Sequence, residues 1–349
     1  MALSVEQYNA KEEKALQKMG VAQITAFGTK TFEDHNFQTR IDATNQISKY
    51  ADFFVNTDLE RLDPGKFFRV TPVQSDYSED EVKLLTQLSD GVQVFLKDTC
   101  GENIGLHFTH LACVGILRVV QTIVKHVEKN KLSIFEAGPG CGYTGTALGL
   151  VGHKYASYDV TQGYYLWQSH LYDHFFGNEF LEVLNNEDCD FGKLPRISHL
   201  PWWVFAQQYK DVKMTSDIVL SNANLSEMHG MCLRYFLRLA AIMMGDSILG
   251  MFVFGDIGSP HMNDQESVHN EFLSAGYKKI SSKNVYIYQL NGKETPLGLI
   301  EELDAGVPLY NPSNNSETYG PRDFINFDDG KYTDEYEFYS YLSGWPNSV

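Results

Sequence analysis

Short apolar runs alternate with longer amphipathic segments in the middle of the chain, from residue 131 to about residue 290. This alternation is typical of βαβ units, in which helices cover both faces of a parallel sheet. The pattern predicts seven strands, at 132–137, 155–159, 182–185, 218–222, 248–256, 278–283 and 285–290. It predicts helices at 144–151, 164–176, 231–244 and 263–275. The fold class is therefore α/β, with a Rossmann-like sheet.

The two ends of the chain have different patterns. Residues 1–130 carry apolar residues three and four apart, for example over 78–96 and 110–128, and predict a mostly helical cap. Residues 292–349 are rich in Tyr, Phe, Asp, Asn, Pro and Gly, which predicts an irregular acidic and aromatic extension along the surface. We therefore expect three regions, 1–130, 131–291 and 292–349.

Charge and cysteine content narrow the class of protein. The chain has 28 Lys and Arg against 45 Asp and Glu, a net charge of -17, which repels nucleic acid and anionic membranes. Its apolar runs fall short of the ~20 residues of a membrane span, and its start lacks the apolar segment of a signal peptide. The five cysteines form no CxxC pair, so we expect a reduced, cytoplasmic protein without a structural zinc site.

Three glycines, Gly138, Gly140 and Gly142, follow the predicted strand that ends at residue 137. Glycine suits such a turn because it adopts positive φ and lets the backbone approach a ligand closely. Glu136 precedes the glycines, and Asp159 ends the next predicted strand. An acid at that second position accepts hydrogen bonds from a ribose diol, in dinucleotide enzymes and in S-adenosylmethionine enzymes alike.

The spacing of the glycines separates these two cofactors. A dinucleotide fingerprint reads GxGxxG and places a pyrophosphate on the helix N-terminus, whereas this chain reads GxGxG. The carboxylate of Glu136 would repel a pyrophosphate and attract a cationic group. The loop therefore favours a sulfonium cofactor that carries an amino group.

An acid followed by GxGxG resembles the first motif of the class I S-adenosylmethionine-dependent methyltransferases. The resemblance extends to 158–162 and 220–228 and covers roughly residues 131–290. More narrowly, the segments 159–168, 201–203 and 221–228 are similar to the sugar O-methyltransferases of bacterial glycoside and polysaccharide gene clusters.

The resemblance implies a set of residues that bind S-adenosylmethionine: Glu136, Gly138, Gly140, Gly142, Tyr143, Asp159, Asp188, Cys189 and Asn222. By this resemblance Asp159 would hold the ribose, Asp188 and Cys189 would lie beside the adenine, and the glycine loop would hold the methionine end. Asn222 would lie next to the sulfonium and the acceptor. Asn222 and Asn224 stand where metal-dependent relatives carry acids, so no metal is expected.

Methyl transfer to a hydroxyl benefits from a general base near the acceptor oxygen. In open parallel sheets such groups lie at the carboxyl ends of strands, which selects Glu227, His229, Asp256 and His261. We rank His229 and Glu227 first and His261 third. The alternative for Glu227 is a helix cap, and the alternative for His229 is a surface residue in the first helical turn.

The favoured function is transfer of a methyl group to a hydroxyl of a sugar or glycoside. One alternative changes the acceptor to a phenol, a hydroxy acid or an amine, and another is an NAD-dependent oxidoreductase. A third is a catalytically silent scaffold that binds a partner through its acidic aromatic tail. A helical N-terminal region of this size often mediates dimers in this superfamily, so the resemblance is compatible with a homodimer, and the sequence leaves the oligomeric state open. Trp202 and Trp203 fit a stacking role on sugar or adenine and a core role equally well.

Overall fold

An eight-stranded sheet forms the centre of the protein in the computed structural model, which describes residues 3–27, 77–101, 113–186, 188–222, 224–255, 265–281 and 286–306. The strands are β1 (Ser133–Ala137), β2 (Lys154–Asp159), β3 (Phe180–Glu182), β4 (Ile197–Pro201), β5 (Ile218–Asn222), β6 (Met251–Gly255), β7 (Tyr277–Ser281) and β8 (Tyr286–Leu290). Their spatial order is β3-β4-β2-β1-β5-β6-β8-β7. Six neighbouring strands are parallel, and β8 runs antiparallel to both β6 and β7.

Helices cover both faces of this sheet. They are α1 (Val5–Leu16), α2 (Val21–Phe27), α3 (Glu79–Cys100), α4 (Val114–Lys125), α5 (Tyr143–Leu150), α6 (Gln162–Phe176), α7 (Trp202–Ala206), α8 (Gly230–Met243), α9 (Gln265–Ser274) and α10 (Leu299–Gly306). The helices predicted in the middle of the chain are confirmed as α5, α6, α8 and α9, and the predicted α/β fold class is confirmed with them. Within the described ranges, no helix is long and apolar enough to cross a membrane.

The prediction of seven strands was wrong by one, because β4 was not predicted. Two of the five residues of β4, Ser198 and His199, are polar and yet fully buried, so no apolar run marks this strand in the sequence. The predicted strand 182–185 was also misplaced. The strand β3 ends at Glu182, and Val183–Asn185 form a 3-10 turn instead.

Alternation along the inner strands sends successive side chains to opposite faces of the sheet. On β1, Phe135 packs in the cluster under α8, whereas Ile134 packs in the cluster under α4 and α5. On β2, Tyr158 stacks on Phe205 of α7 at a ring distance of 3.9 Å. Both faces are therefore buried, as parallel sheets require.

The first two helices pack on α7 and α8. Tyr8 of α1 is fully buried, with its ring 5.2 Å from that of Tyr165 and 5.1 Å from that of Trp203. The indole Nε1 of Trp202 donates a hydrogen bond of 3.0 Å to Glu12. Both tryptophans are at most 3% exposed. Of the two roles considered for them, they therefore have the role of core residues.

A largely buried ion pair joins α3 to α4. Glu81 completes the capping box of α3 with Ser78, and its two carboxylate oxygens accept from Arg118 at 2.6 and 3.0 Å. The Arg118 and Glu81 side chains are only 12% and 9% exposed. In such a place the removal of one partner leaves a buried, uncompensated charge.

We expect Arg118→Met to lower the free energy of unfolding by about 3 kcal/mol, because the carboxylate of Glu81 loses its partner inside the protein. Urea titration followed by circular dichroism measures the change. The control is Lys213→Met, which breaks an exposed ion pair with Asp211 and should leave the free energy of unfolding close to that of the wild type. Equal losses in the two variants would contradict this account.

Candidate functional site

The glycine loop between β1 and α5 adopts the conformation that its sequence predicts. Gly138, Gly140 and Gly142 all have positive φ, at 61°, 57° and 76°. At Gly138 a side chain is excluded for a second reason, since a Cβ there would overlap the side-chain amide of Asn224. Gly142 precedes the first residue of α5 and occupies its N-cap. Glycine is therefore needed here both for backbone conformation and for space.

Asn224 braces the start of this loop from the neighbouring strand. Its Nδ2 donates a hydrogen bond of 2.5 Å to the carbonyl of Ala137, and its Oδ1 accepts from the hydroxyl of Ser221. These bonds tie the carboxyl end of β1 to the segment that follows β5. The sequence had singled out Asn224 only as a residue in the place of a metal-binding acid, so this bracing contact was missed.

Two side chains of α6 hold the loop from the other side. The indole Nε1 of Trp167 donates to the carbonyl of Cys141 at 3.0 Å, and Nε2 of Gln168 donates to the carbonyl of Gly140 at 2.6 Å. Nε2 of Gln168 also donates to Oδ2 of Asp159 at 3.0 Å. The glycine loop and Asp159 are thus joined through one amide.

Asp159, at the end of β2, is 4% exposed and accepts three hydrogen bonds. Its Oδ1 accepts from the backbone N–H of Thr161 at 2.9 Å and from the Thr161 hydroxyl at 2.8 Å, and its Oδ2 accepts from Gln168. Burial raises the pKa of Asp159, and these hydrogen bonds act in the opposite direction. An ionised carboxylate has about four acceptor positions, which leaves one for a ligand hydroxyl.

Glu136 lies directly before the loop and is 1% exposed. The hydroxyl of Tyr155 on β2 donates to its Oε2 at 2.6 Å. Burial raises the pKa of Glu136 to about 7, against the opposing effect of that hydrogen bond, and the nearby Asp159 adds to the increase. The carboxyl group therefore changes its charge near neutral pH.

The structure describes the end of β5 at Asn222 and the segment 224–229 that leads to α8. Asn222 is the last residue of β5 and is in register with Gly255 of β6. Glu227 ends a 3-10 turn (Leu225–Glu227) and is partly buried. His229 is the N-cap of α8, and its Nδ1 accepts from the backbone N–H of Met231 at 3.2 Å. In a neutral imidazole the other nitrogen, Nε2, then carries the proton and is a donor.

The structure describes three of the remaining site candidates, Tyr143, Asp188 and Cys189. Tyr143 opens α5 and is 7% exposed. Asp188 and Cys189 lie in the segment between β3 and β4, and β4 separates β3 from β2 in the sheet. Their role beside an adenine stays a prediction. Asp256 and His261 fall outside the described residues.

Gln168 is the functional candidate that sequence reasoning missed most clearly. It lies seven residues after Thr161, the N-cap of α6, and therefore two turns along the same face of the helix. That face points to the end of β2. Helical periodicity counted from the N-cap would have placed Gln168 beside Asp159.

Comparison with known proteins gives structural likeness only. No protein-family model matches the chain, and no curated protein sequence matches it. Magnesium protoporphyrin IX methyltransferase from Synechocystis, with S-adenosylmethionine bound, is 10% identical, with a TM-score of 0.34 over 62% of this chain and 98% of the other. Ribosomal protein L11 methylase from Lactobacillus delbrueckii is 16% identical, with a TM-score of 0.28 over 52% and 76% of the two chains. These values assign neither an activity nor an acceptor to this chain.

The buried carboxyl of Glu136 gives a pH dependence of stability with a definite sign. Its pKa is higher in the folded state than the ordinary 4.5, so its contribution to stability is complete below about pH 4.5 and is lost as the pH rises through about 7. The side chain of Glu136→Gln cannot ionise. We therefore expect the free energy of unfolding of this variant to rise by about 3 kcal/mol relative to that of the wild type between pH 4.5 and 8. Urea titrations of both ligand-free proteins across this range measure the difference.

The control for the loss of one negative charge is Glu179→Gln, at an exposed site. Parallel stability curves for the wild type and Glu136→Gln would show that the Glu136 carboxyl does not titrate inside the folded protein.

Proposed function

We propose that the chain is an S-adenosylmethionine-dependent methyltransferase. The observation that carries this proposal is the single amide of Gln168 that joins the glycine loop to Asp159, with Glu136 buried directly before the loop. This arrangement brings together a backbone surface for the methionine part of a ligand and a carboxylate for its ribose. When bound, S-adenosylmethionine supplies a methyl group on a positively charged sulfur.

The electrostatics of the site favour this cofactor over a dinucleotide. Glu136 and Asp159 are both buried, and each raises the free energy of ionising the other. A sulfonium or ammonium group placed near them would lower that free energy. A pyrophosphate would raise it further, which argues against the NAD-dependent oxidoreductase.

We infer that the acceptor is a hydroxyl of a sugar or glycoside, and this inference is supported by the sequence resemblance in 201–203 and 221–228. The chain's own residues would align the acceptor and remove its proton. Glu227 is the better candidate for the base, because the Nδ1 of His229 is occupied by Met231 and its Nε2 then carries the proton. His229 is suited instead to donate a hydrogen bond to the acceptor.

Calorimetric titration distinguishes the two cofactors. We expect S-adenosylhomocysteine to bind the wild type and NADH not to bind. Asp159→Ala should weaken S-adenosylhomocysteine binding at least tenfold, because a charge-assisted hydrogen bond to the ribose contributes about 1.5 to 3 kcal/mol. Asp173→Ala, an exposed acid on α6, is the matched control and should bind as the wild type does. Binding of NADH in place of S-adenosylhomocysteine would overturn the proposal.

The assignment of the base has its own test. With a panel of sugar and glycoside acceptors, we expect Glu227→Gln to reduce turnover about 100-fold and to leave S-adenosylhomocysteine affinity unchanged. His229→Gln should mainly raise the KM for the acceptor. If His229→Gln lowers turnover and Glu227→Gln does not, the two roles are exchanged. If neither variant has an effect, neither residue is the base.

A further inference from the structure

Gln168 uses both hydrogens of its side-chain amide inside the candidate site. Gln168 is fully buried. Its Nε2 donates to the carbonyl of Gly140 at 2.6 Å and to Oδ2 of Asp159 at 3.0 Å. Among the described residues, Oε1 of Gln168 has no hydrogen-bond partner, although it too is buried. An unpartnered acceptor in the interior is unfavourable, so this position is explained by its two donated bonds.

We propose that Gln168 is a positioning residue for the methyl donor, which fixes the distance between the glycine loop and the carboxylate that receives the ribose. The inference rests on the proposed function, because it assumes that one ligand spans these two groups. Gln168 acts through its hydrogen bonds to the carbonyl of Gly140 and to Oδ2 of Asp159.

An amide is the only ordinary side chain of this length that can make both bonds without adding charge. A carboxylate at the same place would repel Asp159 and the carbonyl of Gly140, because all three would present oxygens to one another. An aliphatic side chain would leave both acceptors without their common donor. These two cases define two variants with different pH dependence, Gln168→Glu and Gln168→Leu.

The charge of Asp159 is set by groups on each element packed around it. They are Glu136 on β1, Tyr158 on its own strand, His199 on β4, and Tyr172 with Gln168 on α6. Since the groups other than Gln168 are the same in every variant, the informative quantity is the ratio of each variant's affinity to that of the wild type at the same pH.

Gln208 supplies a matched control. It is also a buried glutamine whose Oε1 has no partner among the described residues, and its Nε2 donates to the carbonyl of Val204 at 3.2 Å. It lies in the 3-10 turn Gln208–Lys210 after α7 and contacts neither the glycine loop nor Asp159 by a hydrogen bond in the described part of the chain. Gln208→Leu therefore reproduces the loss of a buried amide without the loss of the bridge.

The experiment measures the dissociation constant of S-adenosylhomocysteine by calorimetry at pH 6, 7, 8 and 9 for the wild type and the three variants. Gln168→Leu should bind at least tenfold more weakly at every pH. The affinity of Gln168→Glu should approach that of the wild type at pH 6, where the new carboxyl can hold a proton and donate it to Asp159. Relative to the wild type, this affinity should fall at least tenfold between pH 6 and pH 9. Gln208→Leu should match the wild type throughout.

The outcomes separate this inference from the proposed function. If the wild type does not bind S-adenosylhomocysteine, both fail. If the wild type binds and Gln168→Leu binds equally well, the positioning role is wrong and the proposed function stands. The same conclusion follows if Gln208→Leu loses as much affinity as Gln168→Leu does. Should Gln168→Leu fail to fold, the near-isosteric Gln168→Glu decides. If the ratio of its dissociation constant to that of the wild type does not change with pH, the inference is overturned.

Discussion

The close approach of Gly138 to Asn224 is the constraint on which the candidate site depends. Because no Cβ is present at Gly138, the amide of Asn224 reaches the carbonyl of Ala137 and ties the end of β1 to the segment after β5. The loop can then turn back toward α6, where Trp167 and Gln168 hold its next carbonyls. The shape of the loop thus follows from contacts on both sides.

Below the loop, one polar residue from each of four neighbouring strands forms a row across the sheet. The register pairs Glu136 with Ser157, Ser157 with His199, and His199 with Glu182. Each of them is at most 8% exposed, and Tyr155 and Tyr165 donate to the two carboxylates at the ends of the row. Parallel strands buried on both faces are normally apolar at such positions. The row therefore makes the interior beneath the loop polar, and a charge placed there interacts strongly with these side chains.

The same row explains where sequence reasoning succeeded and where it failed. The glycine loop and the end of β2 were predictable, because the glycines and the two acids form a motif that is local in the sequence. The strand β4 was not, because His199 is buried through pairing with neighbours on β2 and β3 that no local pattern reveals. The roles of Asn224 and Gln168 depend on contacts across 87 and 28 residues of the chain. Residue type suggests that these side chains form hydrogen bonds, and only the fold determines with which partners.

The two acids of the site also limit which ligand the glycine loop can accept. Glu136 and Asp159 are both buried, and burial raises the pKa of each, so the protein without a ligand bears the cost of keeping two carboxylates in its interior. Protonation of Glu136 relieves that cost near neutral pH, and a bound cation would relieve it while leaving both groups ionised. A ligand with a positive centre therefore gains affinity from the same burial that raises the pKa of the two acids, whereas an anionic ligand would lose affinity. The acids do not identify the acceptor, but they select the sign of the charge that the loop receives.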